Sequence, residues 1–321
     1  MLSFRGSRLG VIRLLRWMKI LVVMTLLISI SGCSADEAQY FRRLEIRDGW
    51  HLVGVIPMDD QQAKELDCYQ FRRDAQGQLV EITFGKGGKL APDPLLGVAR
   101  IKIDYEPRVE IRQYYAANGV PIADSTGAYG LKITTNGDPS ESEMVVLDKD
   151  GRPTKDLAHG ADAIRRKFNS KGDIVSESYF NGQGGPMLSR ETGVASVARE
   201  YDQAGNLVLE AYYDLQGKLT ERQDWQFAQM KLGYNEQGQE IETAFYGGDG
   251  RLCNSASYGV AVIKKRYDKQ GNLIELRFFG TDGQPKADLS GAVVVRMRYD
   301  GTHNLLKTSL YDLHNKLIQE Y

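Results

Sequence analysis

Cysteine is nearly missing from this chain: three in 321 residues, at Cys33, Cys68 and Cys253. That excludes a small fold stapled by many disulfides. Histidine is almost as scarce. The four, His51, His159, His303 and His314, fall on different segments without metal-ligand spacing. They read as surface or turn residues. No G-x-x-x-x-G-K-[ST] loop, no nucleophile elbow and no Lys/Arg-rich block occurs. Phosphate-loop chemistry and recognisable triad hydrolysis lose their sequence basis, and nucleic acid loses the electrostatic footprint it needs. No apolar run reaches the roughly 20 residues of a membrane-spanning helix. No acid occurs in residues 1–32, which hold Arg5, Arg8, Arg13, Arg16 and Lys19.

What that N-terminal stretch does contain is a basic region, an apolar run from Ile20 to Ile30 and then small residues, the pattern of a secretory signal. The following Ile30-Ser31-Gly32-Cys33 resembles the lipobox of bacterial lipoproteins. The resemblance implies cleavage before Cys33 and acylation of that residue, which would anchor the chain in a lipid bilayer. Ser34, rather than Asp, follows Cys33. In that family this implies the outer membrane, with the chain facing the periplasm or the cell surface. Residues 18–33 form a complete short signal by themselves, so translation is expected to start at Met18. Without residues 1–32 the net charge falls from −1 to −6.

The rest is organised by a repeat. An aromatic anchor recurs at Phe168, Tyr201, Tyr234, Tyr267 and Tyr299, at gaps of 33, 33, 33 and 32 residues. Arg73, Tyr105 and Thr135 extend the ladder backwards at gaps of 32, 30 and 33. The copy around Tyr267 shows the unit. Gly259–Tyr267 is a turn-free, β-branched strand. Asp268-Lys269-Gln270-Gly271 is a turn in which Asp accepts from turn amides and Gly takes the left-handed position. Leu273–Phe279 is the returning strand, and a second turn ends at Gly283. A Gly stands eight residues before most anchors (Gly97, Gly127, Gly160, Gly193, Gly259 and Gly291), with Gln226 as the exception. A positive φ is expected there.

The predicted fold is therefore all-β: an open, twisted array of about eight hairpins of about 33 residues each, over residues 65–321, after a signal at 1–32 and a tether and N-terminal cap at 33–64. Ser34–Gln39 reads as the tether. Gly49–Pro57 reads as one apolar capping strand stopped by its proline. Cys68 and Cys253, more than five copies apart, are expected to pair only if the sheet curls round on itself.

Each returning strand ends in two large apolar residues: Tyr114/Tyr115, Tyr179/Phe180, Tyr212/Tyr213, Phe245/Tyr246 and Phe278/Phe279. Strand neighbours point to opposite faces, so each pair puts one ring on each side. If the anchor lies opposite the residue after the turn Gly, one ring of each hairpin faces the Ala six residues before its anchor. The rings are the candidate binding ladder, for a glycan or for a protein partner. A packing role is the alternative. The third copy has Val146 and Leu147, and the last has Leu310 and Tyr311.

The turns Tyr201-Asp202…Gly205-Asn206 and Tyr267-Asp268…Gly271-Asn272 resemble the YD repeat of Rhs-type bacterial surface and toxin proteins, and the paired aromatics with Gly turns are similar to MORN-like repeats. Both resemblances imply scaffolding or binding rather than a reaction. The unit here is longer than the usual YD repeat, and there are too few copies for a closed shell. The expectation is a non-enzymatic binding scaffold with no cofactor and no metal. The D-x-x-G turns offer too few carboxylates for calcium. The partner would be an unknown envelope protein, or alternatively a glycan such as peptidoglycan, and not nucleic acid.

Overall fold

The computed structural model describes residues 38–47, 50–135, 138 and 140–321. Cys33 and the whole signal region lie outside the described residues. The chain forms one open sheet of antiparallel strands that does not close into a barrel. Eight hairpins follow one another. Copy one is Cys68–Arg73 with Leu79–Lys86, copy two Arg100–Glu106 with Val109–Tyr115, and copy three Gly130–Thr134 with Glu141–Leu147. Copy four is Ala163–Phe168 with Ile174–Phe180, and copy five Ser196–Tyr201 with Leu207–Tyr213. Copy six is Gln229–Tyr234 with Glu240–Tyr246, copy seven Val262–Tyr267 with Leu273–Phe279, and copy eight Val294–Tyr299 with Leu305–Tyr311. Each returning strand pairs with the first strand of the next copy. Leu317–Glu320 pairs with copy eight and ends the sheet.

The turns form as their residues dictate. In copy seven Asp268 Oδ1 accepts from the amides of Gln270 and Asn272, each at 2.9 Å, and the Asn272 side chain donates back to Asp268 Oδ2 at 2.8 Å. Gly271 stands at φ +89°. The six glycines before the anchors all have positive φ, and Gln226 adopts φ +54° in the same place.

The hairpin register differs from the sequence expectation, by one residue at the anchor and by two at the buried ring. Tyr267 pairs with Leu273, two residues past the turn Gly, and the register shifts between Arg266 and Tyr267. Copies one, four, five, six and eight carry the same bulge before their anchors. A bulge adds one residue to one strand and moves every later partner by one. The buried ring therefore faces a β-branched or long aliphatic residue of its own hairpin: Val197 opposite Tyr212, Met230 opposite Phe245, Ile263 opposite Phe278. The small Ala lies against the ring of the preceding copy. The Tyr179 amide donates to Ala195 O, that of Tyr212 to Ala228 O and that of Phe245 to Ala261 O. Small-against-large packing thus joins copies rather than closing hairpins.

The anchor tyrosines also join copies. The hydroxyls of Tyr201, Tyr234, Tyr267 and Tyr299 donate to the carbonyls of Ile174, Leu207, Glu240 and Leu273, at 2.9–3.1 Å. Tyr105 does the same to Leu79 at 3.1 Å. Each carbonyl belongs to the first residue of the previous copy's returning strand.

The N-terminal cap is more than one strand. Gln39–Arg47 and His51–Met58 form a hairpin, and a short helix, Asp60–Glu65, follows. Gln39 is thus strand rather than tether. Pro57 sits inside its strand, paired with Phe41, which an edge strand tolerates because the missing N–H would face outward. Only residues 39–41 pair with copy one. The rest of the hairpin crosses the core face of the sheet. Leu44 packs with Tyr69, Phe71 and Ile82, and Trp50 meets Phe168 of copy four edge-on, with ring centres 5.1 Å apart. Between copies one and four a flat sheet would extend about 29 Å, at about 4.8 Å per strand. The arm beyond Phe41 reaches only about 20 Å. The coil of the sheet closes the difference.

Candidate functional site

The two faces of the sheet divide the aromatic pairs. Tyr114, Tyr179, Tyr212, Phe245 and Phe278 are all buried in the core. Burial and then Glu177 push the Tyr179 hydroxyl's pKa up, and burial followed by Glu210 does the same to Tyr212. These rings hold the sheet and its inter-copy loops together, so that half of the expected ladder is covered. Tyr115, Phe180, Tyr213, Tyr246 and Phe279 are half-buried on the opposite, outer face. There the backbone of each bridges to the following turn, at Pro121, Pro186, Leu219, Leu252 and Pro285 respectively.

Four of those five outer rings carry a cation. Lys102 lies over Tyr115, Arg165 over Phe180, Lys231 over Tyr246 and Lys264 over Phe279, at 3.9–5.7 Å from the ring centre. Arg296 lies over Tyr311 of copy eight at 4.7 Å. The reason is diagonal placement: the cation's strand partner stands two residues before the ring, within reach of a long side chain. In copy five Ala198 occupies that position. Copies seven and eight gather further charge. Glu275, almost wholly buried, is met by Arg277 at 2.8 Å, Arg296 at 3.2 Å and Arg266 at 3.4 Å. Burial alone would raise its pKa, but the arginines outweigh burial and hold it below the ordinary value. With Lys264 also present, this patch is cationic on a chain that is acidic once residues 1–32 are removed.

On the core face the residues between anchor and buried ring change along the array. Copies four and five place ion pairs there, Arg166–Glu177 at 2.6 Å and Arg199–Glu210 at 2.7 Å. The Tyr179 hydroxyl donates to Glu177 and the Tyr212 hydroxyl to Glu210. Arg166 also lies over the Trp50 ring. Copies six to eight place Leu232 opposite Thr243, Lys265 opposite Leu276 and Met297 opposite Thr308. A trough of about 630 Å³ opens over them, lined mainly by apolar side chains such as Phe245, Leu276 and Phe278. Its rim carries Trp225 and Tyr258, 37% and 48% exposed. The Tyr258 ring stacks on Phe245 at 5.7 Å. At the trough wall Lys265 Nζ meets Glu240 Oε1 at 2.6 Å. Trp225 and Tyr258, 33 residues apart in sequence, are the residues that sequence reasoning missed. Their shared place, nine residues before an anchor, is the signal that could have found them.

Cys68 and Cys253 are free thiols. Burial raises both pKa values, that of Cys253 to about 11, so both stay protonated at neutral pH. His159 stacks on Tyr179 at 4.5 Å and bonds Ser189 at 2.9 Å, while His303 bonds Asn272. Among the described residues no group of three or more His, Cys, Asp or Glu is placed to hold a metal ion.

No protein-family model matches the chain, and no curated protein matches it. Among solved structures it is similar to the Tc holotoxin pore of Photorhabdus luminescens with a TccC3 variant, at 11% identity over 88% of this chain and 19% of that one, TM-score 0.18. It is similar to a TcdB2–TccC3–TEV crystal structure at 9% identity, over 87% and 19% of the two chains, TM-score 0.18. A TcdB2–TccC3 crystal structure matches at 12% identity, over 88% and 19%, TM-score 0.16. The chain spans about a fifth of the length of these toxin chains. At these scores the likeness carries no argument, and the architecture stands on its own strand pairing.

Proposed function

We propose that the chain is a non-enzymatic envelope lipoprotein, anchored in the outer membrane through acylated Cys33, and that its array is an elongated scaffold for an acidic protein partner. The observation that carries this reading is the outer face. Cation-covered rings recur there in copies two, four, six, seven and eight, about 10 Å apart in adjacent copies, and end in the arginine cluster around Glu275. Arg and Tyr at the centre of a patch are what interfaces use most, and a cationic face steers an acidic partner. Both Lys264 and Arg266 are more than half exposed, Lys264 beside Glu242 at 3.3 Å and Arg266 beside Glu275 at 3.4 Å.

In-cell cross-linking followed by capture of the full chain tests the scaffold. The partner is expected to be lost in the double variant Lys264→Ala, Arg266→Ala, and its capture is expected to weaken with salt. Capture that ignores both changes overturns the reading. On the outer face the glycan alternative would stack on the half-buried rings. Co-sedimentation with purified peptidoglycan that is abolished by Tyr213→Ala, the ring without a cation, would favour it. The anchor is tested separately. Incorporation of labelled palmitate and membrane retention should both disappear in Cys33→Ser.

A further inference from the structure

The trough over copies six to eight is not needed by the scaffold reading, which uses the opposite face. The first copies show what its absence would look like: there the N-terminal hairpin lies on the core face, with Leu44 in the core and Trp50 on Phe168. Over copies six to eight no described segment plays that part. Trp225, Tyr258 and Leu289 stand up from three successive inter-copy loops, and Leu289 is 70% exposed.

We propose that this trough binds a single-chain acidic amphiphile of the fatty-acid class. Size and lining point that way, and one placed ammonium can meet an acidic head group. A volume of about 630 Å³ lies within the range of roughly 300–1,000 Å³ for small-ligand sites, which are mostly apolar with a few placed polar groups. The six strands of these copies span about 24 Å at about 4.8 Å apiece. One acyl chain covers half of a bilayer core of about 30 Å, so about 15 Å, and fits with room for a head group. Phe245, Leu276 and Phe278 form the floor and present no polar side-chain atom. Lys265 is the one cation that lines the trough, beside two carboxylates: Glu240, which it pairs, and Asp288, whose Oδ1 accepts from the amides of Ser290 and Ala292. The Lys265 ammonium has three donors and gives one to Glu240 Oε1, the same oxygen that accepts from the Thr243 hydroxyl. A ligand carboxylate can take a second donor of Lys265 without breaking that pair. The stacked Tyr258 and the neighbouring Trp225 would close over the chain.

The test uses isolated membranes containing the full chain and a palmitate analogue with a photoreactive diazirine on its tail, added from outside so that no lipidation step intervenes. After irradiation, adducts should fall on peptides carrying Met230, Leu276 or Val295. Unlabelled palmitate should compete, and hexadecanol, which lacks the acid, should compete about tenfold less well. Tyr258→Ala changes an exposed rim residue and should leave the fold intact while lowering the yield. Lys265→Gln should remove the preference for palmitate over hexadecanol. Adducts elsewhere, no adducts, or equal competition by the alcohol overturn the proposal. A trough filled by a second copy or by residues 1–37 would give the second of these results. Partner capture through Lys264 and Arg266 is unaffected by any of these outcomes, so the two readings fail independently.

Discussion

Copies four and five and copies six to eight are built from the same module, yet their core faces have opposite chemistry. Copies four and five bury ion pairs, Arg166–Glu177 and Arg199–Glu210, under Trp50 and the inter-copy loops. Copies six to eight break up those facing pairs with Leu232, Leu276 and Met297, keep one ion pair at the wall, Lys265–Glu240, and leave a trough. The strand pairing is the same in both. The lesson is that the module's backbone fixes which positions look inward, not what stands there. The hairpin is held by its bulge and turn, and by the ring against the neighbouring copy's small residue. The two positions before the ring are then free to be filled by charge or by hydrocarbon.

The largest effect should come from breaking the charged half. Glu177 accepts from Arg166 and Tyr179, and it feels Arg199 as well. Glu177→Ala removes the buried carboxylate that Arg166 and the Tyr179 hydroxyl share and is expected to cost about 3–5 kcal/mol, as for other broken buried pairs. Denaturant unfolding measures it. The double variant Arg166→Leu, Glu177→Leu should recover most of that loss, because it removes both desolvation penalties. If Glu177→Ala costs under about 1 kcal/mol, the pair is solvated and the comparison fails. The pH dependence has a definite sign. Burial would raise the Glu177 pKa, but Arg166, Tyr179 and Arg199 outweigh burial and hold it below the ordinary value. Its stabilisation is therefore complete above the unfolded-state value and is lost as pH falls through the depressed one.

The apolar half should answer more weakly to a comparable deletion. Leu276 lines the trough and is only partly buried. Leu276→Ala removes apolar contact but leaves no new closed cavity, since the site is already open. The expected loss is about 2 kcal/mol, at the low end for such changes. A loss as large as that of Glu177→Ala would mean that the trough is covered in solution.

This contrast also separates what could be read in the sequence from what could not. Turns are local: Asp268, Gly271 and Asn272 settle their own geometry within five residues, and the period follows from them. Left-handed backbone at Gly259 or Gly291 is likewise a property of the residue. The charged core face was not legible, because Arg166 and Glu177 look like solvated strand residues until the hairpin sets them opposite each other. Nor was the crossing hairpin. Trp50 meets Phe168 across more than a hundred residues, and the strand Gln39–Arg47 has few apolar side chains to announce it. The ring's partner differs by two residues, one from the anchor's pairing with Leu273 and one from the bulge, which has no clear residue signature here. The outer rings were legible as a row, but the cations over them depend on that same register.

The next effect is uniform along the array, so it tests whether the module is shared. Tyr234→Phe deletes the hydroxyl that reaches Leu207 O at 2.9 Å. The expected loss is about 0.5–1.5 kcal/mol, the net value of one hydrogen bond. Tyr201→Phe and Tyr299→Phe should match it. Copy four, whose anchor is already Phe168, shows the substitution tolerated when Trp50 packs there instead. Hydrogen exchange of the preceding copy's returning strand would show the loosening directly. Unequal effects in copies five and eight would mean that the anchors serve their own hairpins rather than the joints.

The smallest effect belongs to the hairpin turns. Asp268 accepts from Gln270, Asn272 and the Asn272 side chain, and these donors hold its carboxyl below the ordinary value. Copies four and six make the same turn with Asn169 and Asn235, which accept from the equivalent amides. Asp268→Asn should therefore keep the turn and lower the thermal midpoint only slightly at neutral pH, as for other exposed polar changes. Because the folded-state pKa is depressed, whatever Asp268 contributes is present above about pH 4 and fades in acid. The variant's deficit should close as pH falls below that point, measured as the difference in thermal midpoint between the two chains. A deficit that is the same at pH 3 and pH 7 would show that the turn depends on the side chain's shape and not on its charge. Copies four and six, which lack that charge, would then be equivalent to their neighbours at every pH.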